Sequence, residues 1–138
     1  MANESTGGGN PNVFKTFKGK YDVTLQSGVT ATTTVCMLSC TNQVSIVGQF
    51  SSPFNGFPTV LFKLPDECKL EGSTSLRFIV PIDEFDTNGT HVGRHPCVLR
   101  VYQNTVDLLL LNDIPYKYHG TLTLYSVPEF TINRNIYS

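Results

Sequence analysis

The sequence predicts an all-β protein, an antiparallel, jelly-roll-like β-sandwich of about eight or nine strands. Three observations lead there. Short segments alternate apolar and polar residues with the period of two that a half-buried strand requires. Turn residues interrupt those segments at regular intervals. No segment sustains a period of about 3.6 residues, so no helix competes for the core.

The elements follow in order. Residues 1–13 are rich in Gly, Asn, Ser and Pro and read as a flexible leader, with the sandwich domain over residues 14–138. Tyr21, Val23 and Leu25 alternate with Asp22, Thr24 and Gln26, and Ser27-Gly28 makes a turn. Thr32 to Leu38 is β-branched and apolar, the composition of a second strand. The central stretch is VSIVGQFSSPFNGFPTVLFKLPDECKL, Val44 to Leu70. Val44, Ile46 and Phe50 predict one strand, Ser51 to Pro58 a loop, and Val60, Phe62 and Leu64 another strand that Pro65 stops.

Leu76, Phe78, Val80 and Ile82 alternate through a clear strand. Asp83 to Pro96 is the longest polar stretch and reads as a connector with a hairpin tip at Asn88-Gly89. Cys97 to Tyr102 and Val106 to Leu111 form a hairpin about Gln103-Asn104-Thr105. NDIPYKYH, Asn112 to His119, is a loop around Pro115. Gly120 to Val127 is a strand that Pro128 breaks, and Phe130 and Ile132 close the core. After Asp107 the Val106 to Leu111 strand is apolar on both faces, so it is either central and covered on both sides or its outer face meets another subunit.

Composition narrows the function classes. A net charge of −1 with no basic run leaves no electrostatic footprint for nucleic acid. No apolar run approaches the roughly 20 residues of a membrane helix, so no membrane insertion is expected. The N-terminus lacks the basic start and apolar core of a signal peptide. Cys36, Cys40, Cys68 and Cys97 contain no CxxC spacing and read as free, mostly buried thiols, which fits folding in a reducing cytoplasm.

The order of features resembles the C-terminal head domains of bacteriophage tail fibres and receptor-binding proteins. The residues that carry the resemblance are Val44 to Gly48, then TVLFKLP (Thr59 to Pro65) and LRFIVP (Leu76 to Pro81), the Cys97 to Leu111 hairpin and GTLTLYSVPEFTI (Gly120 to Ile132). The chain departs from the pattern at Gln103-Asn104-Thr105, which has no glycine, and it has no tryptophan. The resemblance implies a homotrimeric head in the virion, made in the host cytoplasm and attached to other virion proteins through its N-terminus. It implies non-enzymatic recognition of a saccharide or protein on the bacterial surface. The alternative is a structural virion protein, a head-fibre, decoration or baseplate module that binds other virion proteins.

Candidate sites are few. His91, His95 and Cys97 lie close in sequence, but the His pair lies in a Gly- and Pro-interrupted loop, so the histidines read as solvated loop residues and no metal site is expected. Asp83, Glu84 and Asp86 read as a solvated acidic loop, with a calcium-binding loop and a glycan-cleaving carboxylate pair as the rivals; the run lacks the Asp-x-Asp-x-Asp spacing and the distal Glu of a calcium loop. Ser, His and Asp occur without a frame such as G-x-S-x-G, so no catalytic residues are assigned and no cofactor is implied. The NDIPYKYH loop is the binding candidate: Tyr116 and Tyr118 offer ring faces to a sugar, and Asn112, Asp113 and His119 can bond hydroxyls. The bland reading is that both tyrosines seal the end of the sandwich. Phe54-Asn55-Gly56-Phe57 is the rival surface.

Overall fold

The computed structural model describes residues 17–111 and 118–132. Twelve strands are present among them: β1 (Phe17–Asp22), β2 (Thr24–Leu25), β3 (Thr30–Ala31), β4 (Val35–Ser39), β5 (Gln43–Ile46), β6 (Phe50–Pro53), β7 (Thr59–Lys63), β8 (Ser75–Phe85), β9 (His91–Tyr102), β10 (Thr105–Leu109), β11 (Thr121–Leu124) and β12 (Phe130–Thr131). A 3₁₀ turn, Asp66–Cys68, follows β7. Among the described residues no helix is long and apolar enough to cross a membrane.

The strands form two antiparallel sheets, as the alternation predicts. The larger has the order β2-β7-β10-β9-β8-β11-β6-β3 and the smaller β12-β5-β4-β1. Their inner faces supply one core. Phe50 and Phe62, both fully buried, stack at its centre with ring centroids 4.6 Å apart. Leu38, Val44, Leu61, Ile82, Leu99, Leu108 and Leu122 surround them with almost no exposed surface.

The strand count exceeds the expected eight or nine because two runs that read as single strands change sheet part-way and a further short strand, β3, precedes the Thr32 to Leu38 run. The Tyr21 to Leu25 run bends at buried Val23 from β1 in the small sheet to β2 in the large one. β3 lies in the large sheet, while β4, which starts three residues into the expected Thr32 to Leu38 strand, lies in the small one. Val44 to Phe50 divides into β5 and β6, and the bend lies at Val47–Gln49. Gly48 makes that corner. Its φ is 140°, and a Cβ there would lie 2.7 Å from the carbonyl oxygen of Thr33. Sandwich corners are built by strands that switch sheets in this way. Alternation cannot reveal the switch, because both halves keep the same side chains on the core.

A second correction concerns Asp83 to Pro96. Most of this polar stretch is strand. β8 and β9 run 11 and 12 residues and pair along their length, with one bulge between His91 and Gly93. The connector shrinks to the tip around Asn88-Gly89, where the turn was expected. Asp86 organises it: its Oδ1 accepts the main-chain N–H of Asn88 and of Thr90, both at 2.9 Å.

β10 lies inside the large sheet between β7 and β9, so Val106 and Leu108 point into the core. Its outer face is only partly covered. Leu109 pairs across the strands with Val98, and Val98 with Ile79, forming an apolar row on the outside. Ile79 is 71% exposed. Beside that row Asp107, 2% exposed, is covered by Arg100, whose Nε and Nη2 donate to its two oxygens at 3.0 and 2.6 Å.

Candidate functional site

All three histidines of the chain converge on two consecutive acids of β8. Strand alternation sends the two carboxylates to opposite faces of the sheet. Asp83 points outward, and Glu84 points into the end of the sandwich.

Asp83 sits opposite Arg94 in the β8–β9 register. Its Oδ1 accepts Nε of Arg94 at 2.8 Å and its Oδ2 accepts Nη2 at 3.3 Å. His91 Nε2 lies 3.4 Å from Oδ1, and the Tyr125 hydroxyl donates to the same carboxylate. The Arg94 hydrogen bond, helped by Tyr125 and His91, outweighs desolvation and holds the Asp83 carboxyl well below the usual carboxylate range. The same carboxylate raises the pKa of Tyr125 by holding its hydroxyl proton. The Arg94 guanidinium also lies over the Tyr125 ring, 5.7 Å from its centroid.

Glu84 has no solvent exposure. Its Oε1 lies 3.1 Å from His95 Nε2, and its Oε2 accepts the main-chain N–H of His119 at 2.7 Å, with His119 Nδ1 at 3.5 Å. The acid therefore joins β9 to the segment entering β11. Around it an aromatic plug closes this end of the core. Tyr118 packs on Phe54, Phe57 and His95 with ring centroids 5.5, 5.4 and 5.3 Å away.

These positions revise several expectations. Asp83 and Glu84 are buried strand residues, not a solvated acidic loop, and His91 and His95 lie on β9, not in a loop. Tyr118 is 5% exposed, so its ring meets other rings and offers no face to a sugar. Phe54 and Phe57 are half-buried against it, so the rival aromatics and Tyr118 meet in one structural plug. His119 keeps an exposed imidazole and stands beside Gly120. Asn112, Asp113 and Tyr116 lie outside the described residues. Among the described residues no group of three His, Cys, Asp or Glu is arranged to hold a metal ion.

The structure also holds a groove that sequence reasoning did not single out. It has a volume of about 540 Å³ and runs along the outer face of β6, β11 and β8 at the hairpin end. Ser51, Thr121, Thr123, Phe85 and the tip residues Asp86, Thr87 and Gly89 line it, and Gly120 forms its edge. The Ser51 and Thr123 hydroxyls bond each other at 2.9 Å. The Phe85 ring meets the His91 ring edge-on at 5.4 Å. Gly120 has φ 63°, and a Cβ there would collide with the carbonyl oxygen of Phe85, so only glycine lets the chain pass this close.

One signal in the chain points to this region. Counting outward from the Asn88-Gly89 turn pairs Asp83 with Arg94 and Phe85 with the start of β9, which places the acids on a strand from turn position alone. Comparison with protein-family models, with curated proteins and with solved structures finds no match for the chain.

Proposed function

We propose that this chain is a non-enzymatic recognition module that binds a saccharide on a bacterial surface, acting as the trimeric head of a phage fibre or receptor-binding protein. The groove carries the reading. A row of hydroxyl residues beside an aromatic residue offers both halves of sugar recognition, directional hydrogen bonds and an apolar face. His119, one of the residues first expected to bind, stands beside its Gly120 edge.

Two features support the rest. The exposed Ile79–Val98–Leu109 row offers an apolar surface for subunit contact, on the same sheet but away from the groove. The carboxylates are committed elsewhere: Asp83 to Arg94, Glu84 to the sandwich end and Asp86 to the hairpin tip. Asp83 and Glu84 face opposite sides of the sheet, which no carboxylate pair working on one glycosidic bond can do. Threefold display of weak sites of millimolar order would raise avidity by a factor of roughly 10² or more.

The reading is tested by absolute mass in solution and by binding to whole cells. A mass of three chains is expected, falling to one in Ile79→Lys. Cell binding should be lost in Thr121→Val and in Phe85→Leu. Unchanged binding in both variants would remove the groove from the proposal. A stable trimer that binds no cell or envelope glycan would favour the structural virion role, for which the same apolar row would serve.

A further inference from the structure

We propose that Cys36 and Cys68 are an oxidisable pair whose disulfide would staple the small sheet to the one-turn segment that follows β7 of the large sheet. All four cysteines are free thiols here. Only these two bring their sulfurs together: Cys36 Sγ donates to Cys68 Sγ at 3.5 Å, across 32 positions of chain. Both are fully buried. A disulfide needs the sulfurs at about 2.05 Å, so one of them must move by roughly 1.5 Å.

The two sites differ in freedom. Cys36 is held in β4 between two neighbours, opposite Tyr21 on β1 and Ile46 on β5. Cys68 ends a single 3₁₀ turn whose Asp66 and Glu67 project toward solvent. That turn is tied down by Cys68 N–H to the Pro65 carbonyl and Leu70 N–H to the Gln103 carbonyl, both at 2.9 Å, and by Lys69 N–H to the Asp66 carbonyl at 3.5 Å. A short turn with exposed acids is a lower-stability element than a strand paired on both sides, and its opening would uncover Cys68 while Cys36 stays in place. In the closed state the hydrogen bond to Cys68 and burial raise the Cys36 pKa and keep it a thiol. Opening of the turn therefore gates the reaction.

The chemistry balances with a peroxide as oxidant. The Cys68 thiolate attacks one peroxide oxygen, the O–O bond breaks, and a sulfenic acid forms with release of water after protonation. When the turn closes, Cys36 loses its proton and its sulfur attacks the Cys68 sulfur. The S–O bond breaks and a second water leaves. Two thiols and one hydrogen peroxide give one disulfide and two waters, with two electrons passing from sulfur to oxygen. A reducing thiol reverses the product by exchange.

The test uses the purified full chain, with hydrogen peroxide as the probe. The expected product is a single chain lighter by two hydrogens, with a Cys36–Cys68 peptide in a non-reducing digest. Its thermal midpoint should rise, and dithiothreitol should restore both mass and midpoint. Cys40, exposed on the surface, is the competing thiol, so Cys40→Ser is run in parallel and should still form the cross-link. The inference is overturned if Cys36 and Cys68 both remain alkylatable in denaturant after Cys40 has been oxidised. It is equally overturned if Cys40-linked dimers or Cys40 oxyacids are the only products.

Discussion

The main-chain N–H of His119 donates to Oε2 of Glu84 at 2.7 Å, tying the entry of β11 to a strand residue 35 positions earlier. Glu84 has no exposed surface and also meets the imidazole of His95. Replacing it with alanine strands a partly buried N–H and leaves a cavity. Glu84→Ala should therefore destabilise the fold by about 2–4 kcal/mol. Glu84→Gln keeps an acceptor for His119 and should cost about 1 kcal/mol. Urea unfolding measures both, and equal losses in the two variants would show that shape, not hydrogen bonding, sets the role of Glu84.

Asp83 makes stability depend on acid. Its folded pKa is lowered, chiefly by Arg94, while the unfolded chain has an Asp near 3.9. Between those two values the unfolded state binds more protons, so stability rises with pH. The contribution is complete above about pH 4 and is lost progressively as pH falls below that toward the folded pKa. Asp83→Asn should be less stable near neutral pH and should lose part of the acid slope. A pH series of unfolding midpoints with the same slope in both proteins would reject this account.

Tyr118 belongs to the plug. Tyr118→Ala empties the contact of three rings and should cost about 3–5 kcal/mol. Tyr118→Phe keeps the ring and loses only the hydroxyl, which lies 3.7 Å from Cys97 Sγ, and should cost about 1 kcal/mol. Unfolding curves separate the two. If both variants prove as stable as the parent, the plug contributes nothing.

Gly120 links strand geometry to the groove. Its left-handed backbone and its closeness to Phe85 leave no room for a side chain. Gly120→Ala should destabilise by about 2 kcal/mol or more. It should also shift the Phe54 N–H, which bonds the Gly120 carbonyl at 2.8 Å. An amide spectrum unchanged at Phe54, with normal stability, would contradict that strain.

Much of the architecture was legible in the chain. Strand alternation located Val44, Ile46, Phe50, Val80 and Ile82 in the core, since a side chain's face follows from its parity along a strand. The Asn88-Gly89 turn was placed correctly because its local conformation depends on those residues alone. The solvated reading of Asp83 and Glu84 failed because polarity was taken as exposure. Burial of an acid depends on partners, and Arg94, His95, Tyr125 and the His119 N–H arrive from β9 and from beyond residue 117.

The sequence by itself determined an all-β chain, its strand faces and its main turns, because each rests on residues within a few positions of one another. Only the tertiary structure decided where Val23, Thr32 to Thr34 and Gly48 carry strands from one sheet to the other. It alone brought Phe85, Thr121 and Ser51 to one groove, and Cys36 to Cys68. Those juxtapositions depend on how two twisted sheets pack, and contacts between residues far apart in the chain leave no periodic mark along it.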